Sequence, residues 1–132
     1  MTHPAALAEW HRLVQTHDSA GLWALLAEDA VFHSPVVHTP QVGRPIVSAY
    51  LTAAFQVFFN ESFRYVRETI AADHAVLEFA VTLDGIEVNG VDIISWNAEG
   101  RITQFKVMLR PLKAVNLIHQ RMGEMLAARK GG

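Results

Sequence analysis

Apolar residues recur at two different periods along this chain, and the change from one to the other divides it. In the first third the period is helical. Leu7, Trp10 and Val14 fall on one face with Leu13 beside them, so a helix is predicted with Pro4 in its first turn, a place that suits proline. His17-Asp18-Ser19 breaks the pattern, and Asp18 or Ser19 is available to cap a second helix carrying Leu22, Leu25 and Leu26 on one side. Ala30 to Pro35 reads as a short strand ended by proline. Residues 36–43 read as a loop, and Pro45 opens a third helix reaching Phe58. Its apolar stripe is Val47, Tyr50, Leu51, Ala54 and Phe58. Phe55 and Val57 lie outside that stripe, which predicts burial on more than one side.

In the second half the period drops to two. Phe63 to Ala71 alternates only loosely. Ala75, Leu77, Phe79, Val81 and Leu83 then form an alternating face, with His74, Glu78 and Thr82 pointing the other way. Arg67 or Arg64 is placed to pair with Glu78 across the sheet. Asp84-Gly85 signals a hairpin, Ile86 to Trp96 the next strand, Asn97 to Gly100 a second turn, and Ile102 to Leu109 a last strand. Pro111 starts a C-terminal helix with Leu112, Val115, Ile118 or His119, Met122 and Leu126 toward the protein. Helices followed by a run of strands predict an α+β domain, with a curved antiparallel sheet holding a long helix in its concave side.

Composition sharpens this picture. The 132 residues fit one domain, 1–132. Hydrophobic residues make up 51% and charged residues only 18%, against roughly 25% charged in an ordinary domain. The apolar excess needs a core, a subunit interface or an apolar cavity. No run is long enough for a membrane span, and no secretory signal is visible, so a cytoplasmic location is expected. A net charge of -2 argues against a nucleic-acid partner. The absence of cysteine excludes disulfide scaffolds and thiol catalysis.

One residue is out of place. Ile86, Val88, Gly90, Asp92 and Ile94 share one face of their strand, which sets Asp92 in an apolar register. A carboxyl there must be hydrogen-bonded, paired or kept neutral, and such acids are enriched at functional sites. Gly90 beside it leaves room for a ligand or another backbone to come close.

Gly90-Val91-Asp92-Ile93-Ile94-Ser95-Trp96-Asn97-Ala98-Glu99-Gly100-Arg101-Ile102 resembles the D-x-x-x-x-x-x-x-G-+-I hairpin of the nuclear transport factor 2-like superfamily. That group includes ketosteroid isomerases and SnoaL-like polyketide cyclases. Leu26 to Pro35, followed by Gly43-Arg44 and a helix, resembles the same group's first strand and loop, and the order of elements agrees over nearly the whole chain. The resemblance implies a cone-shaped, strongly bent antiparallel sheet wrapped around helices, as in cystatin-like folds, here with an added C-terminal helix. It also implies an apolar central pocket and a homodimer formed through the sheet. In ketosteroid isomerases the aspartate matched by Asp92 is protonated and helps hold an oxyanion. The position of their catalytic base is Ser34 here, and that of their oxyanion tyrosine is Trp10. Steroid isomerisation is therefore not expected.

Strict alternation puts Ser34 and Phe32 on one face and His33 on the other, and the resemblance implies that Ser34 faces inward; His33 offers a further acid or base opposite Asp92 if a bulge near Pro35 turns it inward instead. Trp10, Val14, Phe55, Phe105, Val107 and Leu109 are the expected pocket lining on the same resemblance. His38 is expected at the pocket mouth or exposed. His3, His11, His17, His74 and His119 are expected at the surface or as caps. No metal set and no phosphate loop is present, so no cofactor is expected. Two functions remain open. One is acid/base chemistry at Asp92, helped by His33 or Ser34, on a small apolar molecule. The other is a non-catalytic ligand-binding or dimeric assembly module. A cavity of several hundred cubic ångströms favours ligand binding, and a cone filled by side chains favours assembly.

Overall fold

Helical and strand periods meet in one bent, unclosed sheet with helices on its concave side. The structure, a computed structural model, describes residues 4–131, the last three of them by backbone alone, and leaves His3 outside. Helix α1 (Ala5–Thr16) buries Leu7, Trp10, Leu13 and Val14 and ends on His17 in the left-handed conformation. A 3₁₀ turn (Ser19–Gly21) leads into a single turn, α2 (Leu22–Leu25). Strand β1 (Leu26–His33) and a two-residue β2 (Gln41–Val42) precede α3 (Arg44–Phe58). Then come β3 (Arg64–Ile70), β4 (His74–Leu83), β5 (Ile86–Trp96) and β6 (Ile102–Arg110), and finally α4 (Leu112–Gly131). The sheet order is β2-β1-β6-β5-β4-β3.

All these pairings are antiparallel except β1 against β6, which is parallel. That pair explains two departures from the expected boundaries. Leu26 belongs to β1 rather than to the second helix because it pairs with Ile102. The register shifts before Val31, so Leu26, Ala27, Ala30 and Phe32 are buried without a regular alternation to reveal a strand. A bulge between Tyr65 and Arg67 likewise accounts for the loose alternation of β3. No side-chain bond from Asp18 or Ser19 caps the turn after α1; Leu112, expected to face the protein, is exposed.

The alternating face of β4 is buried as expected, and its Glu78 faces Arg67 across the sheet at 3.9 Å. Asp84 and Gly85 both adopt positive φ, the geometry of a tight hairpin turn, and hold β4 to β5 in continuous register. A Cβ added to Gly90 would lie 2.5 Å from the Met108 carbonyl oxygen and 2.7 Å from the Phe79 ring. The close approach expected at Gly90 is therefore made by neighbouring strands. Among the described residues no helix is long and apolar enough to cross a membrane.

Candidate active site around Asp92

Asp92 lies at the middle of β5, between Leu77 of β4 and Val107 of β6. The pleat turns it inward with Val88, Gly90 and Ile94, and only 6% of its surface remains exposed. Two donors arrive from different elements. Tyr65, on β3, donates its hydroxyl to Asp92 Oδ2 at 2.7 Å. Trp10, on α1, donates its indole N–H to the Tyr65 oxygen at 2.9 Å. Edge contacts with Phe105 and Phe55 fix the Trp10 ring, at centroid distances of 4.9 and 5.6 Å. Both hydrogen bonds run toward the carboxyl, so Tyr65 has no proton left to offer elsewhere.

Asp92 Oδ1 takes no protein partner. No fully buried side-chain polar atom among the described residues is left unbonded, so this oxygen opens onto the adjacent space. Burial pushes the Asp92 carboxyl up to about 7, and the Tyr65 hydrogen bond pulls the other way. Burial and then the neighbouring Asp92 charge push the Tyr65 phenol well above its ordinary range. Near neutral pH, then, Asp92 is poised between its two protonation states while Tyr65 stays neutral.

The space in front of Oδ1 is a cavity of about 230 Å³. Its deep end is formed by Trp10, Phe79, Phe105 and Asp92, all buried. Helix α3 supplies Tyr50, Leu51, Ala54, Phe55 and Phe58 as one wall. The outer end lies among Ser34 to Val37 and the α4 residues His119, Met122, Gly123 and Leu126, and the buried Ile118 of α4 also lines the cavity. Among the described residues Asp92 is the sole carboxyl in this lining, and no lysine or arginine joins it.

Among the residues expected at the site, Trp10, Ser34, Phe55, Asp92, Phe105 and Val107 come together around this cavity. Ser34 is held in a turn, its Oγ accepting the backbone N–H of Val36 at 3.0 Å and of Val37 at 3.3 Å. His33 does not line the cavity; β1 is regular where it pairs with β6, and alternation sends His33 to the other face beside Lys106. Val14 faces a separate surface cleft with His11 and Phe59, because the pitch of α1 carries it past the cavity. Leu109 packs on Gly90 instead of lining the cavity. His38 is exposed outside it.

A scan of protein families matches residues 7–105 to the SnoaL-like domain. The chain belongs to the SnoaL-like family. Among solved structures, this SnoaL-like protein is similar to a steroid delta-isomerase from Pseudomonas aeruginosa, with 40% identity and a TM-score of 0.91. That match covers 97% of this chain and 93% of the other. A second neighbour is an uncharacterised protein with a cystatin-like fold from Silicibacter pomeroyi, with 34% identity and a TM-score of 0.81, covering 97% and 86% of the two chains. A nuclear transport factor 2-like protein of unknown function from Mesorhizobium loti shares the fold at 22% identity and a TM-score of 0.69, over 80% and 88%. A search of curated proteins finds no match. The expected superfamily and α+β fold class are thus both met.

Sequence reasoning missed three groups of this SnoaL-like site. Tyr65 sits on an otherwise exposed edge strand whose bulge hides its inward register. Tyr50 was legible only as one apolar position of a stripe, and His119 only as a surface or capping histidine or as the alternative to Ile118 on the inward face of its helix, yet both line the cavity. The one available signal for Tyr65 was chemical: a half-buried phenol needs a partner, and Asp92 was the carboxyl without one.

Proposed function

We propose that this SnoaL-like protein takes a small, uncharged, apolar molecule bearing a carbonyl or similar acceptor into the cavity. Asp92 moves a proton on it, as a cofactor-independent isomerase, cyclase or hydrolase would. The observation that carries this reading is Asp92 Oδ1, unpartnered and open to a largely apolar space. When protonated, that oxygen donates to an acceptor and stabilises charge developing on it; when ionised, it accepts a proton from the ligand. A pKa of about 7 keeps both forms populated at neutral pH. Among the described residues the lining carries no lysine or arginine, which favours a neutral guest. The volume suits one or two rings, since about 150 Å³ suffices for benzene in an engineered protein cavity. Similarity to a steroid delta-isomerase supports proton-transfer chemistry on a carbonyl compound.

A specific observation favours passive binding as a second reading: both Oγ contacts of Ser34, the residue that the sequence resemblance sets at the isomerases' base position, go to backbone N–H groups. One experiment separates the two. 1-Tetralone is incubated with the protein in D₂O, with binding followed by saturation transfer and loss of the α-protons by NMR. The active reading expects binding with accelerated exchange, and an Asp92→Asn variant that still binds but no longer exchanges. Binding without exchange supports the passive module, and no binding contradicts both. For assembly, we propose a homodimer through the outer sheet face, where Val76, Ile93, Val91 and Met108 lie on adjacent strands.

A further inference from the structure

The α4 residues lining the cavity are Ile118, His119, Met122, Gly123 and Leu126, the last four at the i, i+3, i+4, i+7 spacing of one helix face. Gly123 stands in the middle of that stripe, and the helix face is cut away there. Apart from proline, glycine is the least favourable residue of a helix interior. A glycine so placed needs a reason, and the fold supplies none: a Cβ at Gly123 would meet no atom within 4 Å. This contrasts with Gly90, where a Cβ would strike the Met108 carbonyl oxygen. The cavity is graded from the buried Asp92 end to an exposed end, and Gly123 is exposed at that end together with Val37 and His119.

We infer that Gly123 is a specificity-determining position: it keeps open the passage over α4 through which a ligand longer than the enclosed volume extends away from Asp92. This rests on the reading that the cavity holds an apolar ligand. The head of the ligand is fixed at Asp92 Oδ1, so added length can be accommodated only at the exposed end. A side chain at 123 would leave short ligands untouched and exclude long ones.

The test measures dissociation constants for cyclohex-2-enone, 1-tetralone and the four-ring enone androst-4-ene-3,17-dione in wild type, Gly123→Ala and Gly123→Leu. Cyclohex-2-enone affinity should stay within about twofold in all three proteins. The longest probe that wild type binds should weaken at least about tenfold in Gly123→Leu and by a smaller factor in Gly123→Ala. Gly123→Ala should also melt at a higher temperature than wild type, since the methyl enters free space and improves the helix. Equal weakening of every probe, an unaffected longest probe, or a lower melting temperature in Gly123→Ala overturns the inference. Wild type that binds none of the probes instead contradicts the functional reading itself. Should Gly123→Leu fail to fold, the alanine variant decides alone, through the same contrast between short and long probes.

Discussion

Asp92 was legible as an anomaly from strand alternation alone, because one carboxyl stood among Val88, Gly90 and Ile94. Its partner was not legible, because Tyr65 reaches it across the intervening strand β4 from a bulged edge strand. Burial of this carboxyl has a thermodynamic signature with a definite sign. In the folded chain Asp92 titrates at about 7, against about 3.9 for an unfolded aspartate. Between those values the folded state holds more protons than the unfolded one. Stability contributed by this group is therefore complete below about pH 4 and lost as pH rises through about 7, a difference on the order of 4 kcal/mol. Asp92→Asn removes the titration, so urea denaturation at pH 4 and pH 8 should show the variant gaining on wild type as pH rises. Tyr65→Phe removes the one hydrogen bond that pulls the Asp92 pKa down. Its carboxyl should then titrate above the wild-type value in a carbon NMR titration.

At the scale of elements, the strands with clean alternation, β4 and β5, came out of the sequence with their faces correct. β1 and β3 did not, and the reason is the same for both: a register shift breaks the period on which the reading depends. β5 packs closely on both neighbouring strands at Gly90. Gly90→Ala drives a methyl into the Met108 carbonyl oxygen and the Phe79 ring, and should destabilise by about 1–3 kcal/mol in chemical denaturation. Because Gly90 pairs with Phe79 and Leu109 next to Asp92, the same variant should also disturb the Asp92 titration. The C-terminal helix was foreseen with Ile118 or His119, Met122 and Leu126 toward the protein, and these line the cavity; Gly123 was not foreseen, since a glycine carries no hydrophobic signal.

For the whole molecule, the apolar excess of the composition divides between the core under α1 and α3, the lining of the cavity and the outer sheet face. The cavity is not filled by side chains, although nine of the chain's twelve aromatic residues stand around it. On the outer face Val91 pairs with Met108 and Val76 with Ile93, a patch that a second copy would cover. Sedimentation of wild type should give a dimer and Ile93→Asp a monomer, with ligand affinity retained because the substituted side chain points away from the cavity.

The central claim is that the inward carboxyl is held poised between its protonation states for contact with a ligand. It is tested most directly by following the Asp92 carboxyl carbon by NMR across pH in the free protein. The account predicts a midpoint at about 7. A midpoint near the ordinary aspartate value of about 4 would show a solvated, permanently ionised carboxylate and contradict it.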